Sequence, residues 1–386
     1  MSRSVAKVAL YDRSMEEAFA RFCQVVWPNS RDRATSSAQG PEEARGNQTG
    51  DTQDCPTFVF VKGDDIVGHV TTVPVRIASF GRTNSAHWIV GLMVLPEHRN
   101  SLVAPMLIKE VNQQLDCALS LHVEQPVLRI LTGLKWFHKG VLPQYLRILN
   151  ASEVSRNLRA LGVKALVGDS ANSTAGRLGG WVTSFGRVVG GWALGAGQAL
   201  WVALTYVARP GAVRADVREE NEFDESYDQL WRSVCARFGA CVARDRKYLE
   251  ERFARHPGGY RIFSCRQNDR LLGYCILKTK KFTNDPRLGN MRIGTIADCL
   301  FDPTGPAVLQ RTVQRVLEIC AEEKLHAVLC TSSHAAVRRV LRANGFLAIP
   351  GNLQFALHNR LNVPLQDIPL ESWHLMRGDS DADQNF

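Results

Sequence analysis

The period of the apolar positions changes repeatedly along the chain. Short apolar or alternating runs mark strands at "VAKVALYD", "TFVFVKGDDIVGHVTTVPVRIAS", "SAHWIVGLMVL", "ALSLHV" and "QYLRIL". Helical spacing separates them. "SMEEAFARFCQVVW" sets Ala18, Phe22 and Val25/Val26 on one stripe, with Ser14 and Glu17 spaced as a capping box. After "VLPEHRNSL", Val103, Leu107, Val111 and Leu115 recur at i, i+4, predicting a helix with one buried face. "QPVLRILTGLKWF" predicts a shorter helix closed by Gly133. The same element order begins again near residue 217. Two helices, "FDESYDQLWRSVCARF" and "DRKYLEERFARHP", precede a hairpin turning at Asn268-Asp269. Then come the strand "MRIGTIADCLFDP", a long helix, the strand "HAVLCTS", a helix stopped by Gly345 and a last strand, "NLQFALHNR". The two copies repeat an order of elements rather than a sequence.

The pattern divides the chain into residues 1–150, 151–216, 217–362 and a tail, 363–386. Within the first unit, 29–54 has no aromatic residue and no aliphatic one larger than Ala, and reads as a long mobile loop. The segment 151–216 reads as a helical linker, apolar and basic. Val188–Ala208 carries no charge over 21 residues, has Gln198 near its centre, and is flanked by arginines and by Trp181, Trp192, Trp201 and Tyr206. That length suits a helix buried between domains, a peripheral membrane contact through 180–208, or a span.

A formal net charge of +9 favours an anionic partner. No run of clustered Lys/Arg with interleaved aromatics points to nucleic acid. The ten cysteines include no C-x-x-C and no zinc-site spacing, so no metal is expected, and a reducing compartment suits them. The N-terminal stretch lacks the apolar core of a signal peptide. The expected location is cytoplasmic, or peripheral to the inner face of the membrane.

Three stretches resemble the GNAT fold, the Gcn5-related N-acyltransferases. "VLPEHRNSLVAPMLIKEV" resembles that family's coenzyme A motif, in which a strand, a turn and an amphipathic helix follow one another. "VLRILTGLKWFHKG" and "VRRVLRANGFLAIPG" resemble its late helix ending in Gly-hydrophobic. The resemblance implies an α+β fold of two GNAT-like domains, each a mixed central sheet flanked by helices. "DRKYLEERFARHPGGYR" and "WHLMRGDSDAD" are also similar to tandem GNAT proteins associated with bacterial polysaccharide synthesis. It implies an acyl-CoA-dependent N-acyltransferase with acetyl-CoA or another acyl-CoA as co-substrate, and an amine acceptor that is a small molecule, an amino sugar or a lipid-linked saccharide. The alternative is a catalytically inactive tandem scaffold in a cell-envelope assembly.

The physical basis of the motif is a helix N-terminus, whose unpaired N–H groups and positive dipole end suit a pyrophosphate. In the family a bulge in the preceding strand receives the pantetheine arm. On this motif the expected contacts are Leu92, Met93, Val94, Arg99, Asn100, Ser101, Leu102, Val103 and Ala104. Pro96 and Arg99 match it, Ala104 matches a small residue, and Leu102 stands where the family has glycine. Leu102 either turns into the core or crowds the phosphate. In the second copy, Asp302 sits where phosphate would approach, and Pro303 and Pro306 remove donors. Candidate bases are His87, Glu97 and Asp298, with His334 a further one. Neither late helix carries the family's tyrosine acid; Arg129 and Leu341 stand near those positions.

Overall fold

A computed structural model describes residues 6–27, 55–158, 195–204, 213–255 and 259–380. The expected loop over 29–54, most of 180–208 and residues 381–386 lie outside them. The first half contributes β1 (Ala6–Leu10), β2 (Thr57–Lys62), β3 (Asp65–Ser79), β4 (Arg82–Val94), β5 (Cys117–Leu121) and β6 (Phe137–Ile148). The second contributes β7 (Asp216–Glu220), β8 (Ala240–Val242), β9 (Tyr260–Gln267), β10 (Arg270–Lys281), β11 (Arg292–Phe301), β12 (Ala327–Thr331), β13 (Leu347–Asn359) and β14 (Trp373–His374). Eight helices are used below: α1 (Glu16–Val26), α2 (Val103–Gln114), α3 (Gln125–Gly133), α4 (Ala151–Asn157), α5 (195–204), α6 (Glu225–Val234), α7 (Ala307–Glu322) and α8 (Ala335–Ala343).

All fourteen strands belong to one mixed sheet, with the main path β1-β2-β3-β4-β5-β13-β6-β12-β11-β10-β9-β7. The order is palindromic once β1–β5 are matched with β7 and β9–β12. Its centre is an exchange. The last strand of each half leaves its own fifth strand and pairs with the other half's: β13 with β5, and β6 with β12. The two exchanged strands also pair with each other, from Leu347↔Leu146 to Leu357↔Phe137. Parallel pairing occurs at β4·β5 and β11·β12, the neighbours that an intervening helix must join.

Helices α2 and α3 pack on one face of the first half, burying Leu107, Ile108, Val111 and Leu131 against Phe58, Val70 and Ala118. On the second half, α7 and α8 bury Val313, Val316, Val337 and Val340 against Phe263, Leu277 and Val328. A third core joins both halves. It sets Trp88 and Leu119 beside Tyr274, Leu300 and Phe355, and is completed by Trp373 and Leu375 of the C-terminal segment.

Local details depart from the expected ones. Ser14 does not cap α1; Asp12 accepts from the Ser14 N–H and caps the short turn before it. The buried stripe of α1 is Phe19, Phe22 and Cys23, while Val25 is exposed. After α3 the left-handed position falls on Lys135 rather than Gly133, whereas Gly345 does take it after α8. Gln198, in the middle of the uncharged run, is buried: its amide accepts from Ile148 N at 3.3 Å and donates to the Gly345 carbonyl at 2.8 Å. That part of the run ties β6 of one half to the end of α8 in the other. Among the described residues no helix is long and apolar enough to cross a membrane.

The tail is core rather than appendage. Leu365, Trp373, Leu375 and Met376 are fully buried, each contributing roughly 1.5–3 kcal/mol by area. Arg377–Asp379 ends in a charged cluster. Arg244, wholly buried, places Nη2 2.8 Å from both Asp379 carboxylate oxygens and Nε 3.0 and 3.2 Å from those of Asp298. Tyr274 donates to Asp298 at 2.9 Å. Two carboxylates share one guanidinium in a dry site, and burial pushes the Asp379 carboxyl up to about 6 despite the attraction of Arg244. Its ordinary value is 3.8. Between these values the folded chain holds a proton that the unfolded chain has released. The resulting stabilisation is complete below about 3.8 and is lost as pH rises through about 6. Between pH 5 and 7 this amounts to about 1 kcal/mol. Urea unfolding of the chain and of Asp379→Asn at those two pH values tests it. The variant should gain about 1 kcal/mol on the parent from pH 5 to 7; a difference that does not move with pH would refute the protonation.

Candidate functional site

Parallel strands β4 and β5 pair only at His87↔Ala118 and Trp88↔Leu119. Beyond Trp88 they part, and among the described residues no backbone hydrogen bond crosses from the β5 side to Ile89–Val94. On the other edge β4 pairs with β3, but the register jumps from Thr71↔Val90 to His69↔Met93, leaving an extra residue in β4. Gly91 takes it up at φ +63, a left-handed value in which a side chain is strained. The bulge lies in the part of β4 that borders the gap.

A 3-10 turn, Pro96–His98, follows β4. Serine holds what glycine was expected to hold. Ser101 Oγ donates to the His98 carbonyl at 2.6 Å and accepts from Val103 N at 3.3 Å. Leu102 sits at φ −82, ordinary backbone for any residue, and is 71% exposed. It therefore does not turn into the core, and it is not needed as glycine for the chain to turn. The N–H groups of Leu102 and Ala104 have no partner among the described residues. Pro105, one residue further on, supplies no N–H, and Val103 N is taken by Ser101, so the free donors are those of Leu102 and Ala104. Arg99 is exposed, with Nε 3.4 Å from the Val94 carbonyl, which tethers the turn to the strand end. Leu92 to Ala104 thus form one continuous surface: an unpaired strand edge, a basic turn and a helix start with free donors.

The candidate bases fare differently. His87 lies where β4 and β5 are still paired, at the start of the gap. Glu97 is on the exposed turn, past the strand end and beside the anion donors. Asp298 is in the other half, wholly buried and committed to Arg244 and Tyr274. Its carboxylate anchors the tail, which corrects its reading as a base. His334 is also structural: its ring nitrogen accepts from Ala336 N and caps α8.

The second half repeats the gap but fills it. β11 and β12 pair only as far as Ile296↔Cys330, with a register shift next to Asp298. The C-terminal segment then enters. Met376 bridges to Ser332, Ser333 N donates to the Leu375 carbonyl at 3.0 Å, and His374 Nε2 lies 2.7 Å from the Cys299 carbonyl. The segment thereby touches both parted strands. At the following turn Asp302 is ion-paired to Arg237 and accepts from Thr304 N, so it is already neutralised. A cleft of about 460 Å³ opens outside that turn, between α6 and the hairpin at Asp269-Arg270.

Three features escaped the sequence. Gly91 carried a signal, since an isolated glycine inside a strand pattern marks a bulge. Pro105 was legible as a missing donor. His69, in β3 across from Met93, had none, because "VGHVTTV" reads as a plain buried strand.

No protein-family model matches the chain, and no curated protein matches it. Solved structures do. A Saccharomyces cerevisiae N-myristoyltransferase with bound myristoyl-CoA aligns at TM-score 0.53 and 14% identity, over 92% of this chain and 79% of that one. A GCN5-related N-acetyltransferase from Anabaena variabilis aligns at 0.57 and 10%, over 92% and 73%. An Enterococcus faecalis protein described as a probable N-acyltransferase gives 0.55 and 9%, over 92% and 73%. At these identities the likeness is one of fold: the chain has the fold of GNAT N-acyltransferases through most of its length.

Replacing Leu102 by Ala should change stability by no more than about 0.5 kcal/mol, as expected for an exposed side chain. Gly91→Val should cost roughly 1–3 kcal/mol through its left-handed backbone. Urea unfolding of both variants checks this; a large loss in Leu102→Ala would place that side chain in the core instead.

Proposed function

We propose that the first half binds an acyl-CoA and transfers its acyl group to an amine. The observation that carries this reading is the contrast between the two gaps. The one between β11 and β12 is filled by the chain's own tail, while the one between β4 and β5 is bordered by an unpaired edge, a bulge and free helix N–H groups. A pantetheine arm is an extended chain of amides that can pair with such an edge. Its pyrophosphate then meets the free N–H donors of Leu102 and Ala104, with Arg99 adding charge. The myristoyl-CoA held by a structure of similar fold supports the same class of ligand. Leu102, exposed at the mouth with Met106 one helical turn on, gives the site an apolar lip against the cofactor. An amino sugar or a lipid-linked saccharide is the acceptor this reading favours. Of the candidate bases, His87 is the one at the start of the open gap, where an acceptor amine would lose its proton through it or through water.

The scaffold reading applies to the second half alone, whose gap is closed by Trp373–Ser380. A pseudo-symmetric protein in which one half binds and the other half braces the sheet accounts for both.

Thermal unfolding with acetyl-CoA, octanoyl-CoA, myristoyl-CoA and free CoA tests the proposal. A ligand near a hundredfold above its Kd stabilises by about 2.7 kcal/mol, a shift of several degrees. Arg99→Glu should abolish the shift, while Arg237→Glu, at the second turn, should leave it. No shift with any of the four in the unaltered chain removes the reading. A shift lost in Arg237→Glu and kept in Arg99→Glu moves the site to the second half.

A further inference from the structure

His69 is the one buried imidazole that meets the bulge. It is 3% exposed, and among the described residues neither Nδ1 nor Nε2 has a hydrogen-bond partner. Three aromatic rings box it in: Phe19 at 5.3 Å and Phe22 at 5.4 Å, both edge-on, and Trp27 at 5.6 Å. Its fourth side faces Gly91. A Cβ built on that residue would lie 3.5 Å from His69 Cε1, and apart from its chain neighbours no other described atom comes within 4 Å of it. The carbon between the two ring nitrogens therefore abuts the space beside the bulge, and both nitrogens flank it.

A structural explanation does not account for this residue. The aromatic contacts would be made equally by phenylalanine, without leaving a donor and an acceptor buried and unsatisfied, each at a cost of roughly 1–3 kcal/mol. The ring is a neutral imidazole, since burial pushes its pKa down to about 3. It can donate from one nitrogen without ever gaining a proton, but it is a poor base.

Resting on the acyl-CoA reading, we infer that His69 donates a hydrogen bond to the acyl-thioester carbonyl at the Gly91 bulge and stabilises the oxyanion that forms there. In the reaction the amine nitrogen forms a bond to the carbonyl carbon and the C–S bond breaks. The amine gives up one proton to a base or to water, the departing sulfur takes up one, and His69 keeps its N–H throughout. Donors aimed at the developing charge in a dry site are worth more than they would be in water.

The test uses the full chain labelled with ¹⁵N in its histidine rings, His69 being assigned from the spectrum of His69→Gln. Acetyl-CoA is compared with S-ethyl-CoA, a thioether that lacks the carbonyl. Acetyl-CoA should move the His69 ring nitrogen resonance, and S-ethyl-CoA should not. In parallel, His69→Phe should weaken acetyl-CoA binding roughly five- to tenfold, the worth of one such bond, and leave S-ethyl-CoA affinity unchanged. His69→Gln, which keeps an N–H donor, should recover most of the loss. If both ligands bind and the resonance is unmoved, or moves equally with each, the assignment to His69 is wrong and the acyl-CoA reading stands. If neither ligand binds the unaltered chain, both readings fall together.

Discussion

Two parallel strands that part leave a row of backbone N–H and C=O groups without partners, and everything distinctive in this molecule follows from how those groups are satisfied. Buried peptide groups must be paired. Each half contains the same divergence, after Trp88 in β4 and after Ile296 in β11. In the second half the chain supplies its own partner in Leu375–Met376 and locks it with Arg244, Asp298 and Asp379. Such a cluster is expensive to desolvate, and removing one partner would strand a buried charge. In the first half, among the described residues, no segment of the chain pairs with that edge. One constraint, met internally in the second half and left open in the first, is what distinguishes the two halves of the pseudo-symmetric molecule.

The exchange of β6 and β13 binds these roles together. Because each half completes the other's sheet, neither has a whole core without its counterpart, and the shared core of Trp88, Tyr274, Phe355 and Trp373 confirms it. The central hairpin-like pair β6·β13 is also flanked on both sides by antiparallel ladders, so the two gaps are held a fixed number of strands apart on a stiff support. A site on rigid elements is better positioned than one on loops. Gln198, bonded to Ile148 and Gly345, adds a polar rivet across the same junction.

Most of the element order was legible because hydrophobic period can be read from a single sequence. The α2 stripe, the β9–β10 turn at Asn268-Asp269 with its two positive φ values, and the Gly345 stop were all written locally. The strand exchange was not, because β6 and β13 have the same pattern whichever fifth strand they join; pairing is decided by long-range packing. Asp298 shows the limit for sites. As a lone carboxylate near a strand end it looked like a base, and only Arg244 and Asp379, 54 residues before it and 81 after, turn it into an anchor. Leu102 shows the reverse: glycine was expected from steric reasoning about a phosphate, but the structure makes the turn with Ser101 and points Leu102 outward, so the departure from the motif does not alter the turn itself.

His69 joins the two kinds of reasoning. From burial alone it belongs to the core, beside Phe19 and Phe22. From hydrogen-bond accounting it does not, since its nitrogens find no partner among the described residues, in a place where the same shape could have been had without them. Natural sequences break local rules at functional sites and recover the cost elsewhere. Here the cost is two ring nitrogens without partners among the described residues, the compensation is the aromatic box around them, and the position is the β3 residue whose ring meets Gly91 of the β4 bulge. The left-handed backbone of Gly91 and the unmet hydrogen bonds of His69 are therefore two sides of one arrangement, in which a ligand's carbonyl would relieve the second while using the room created by the first.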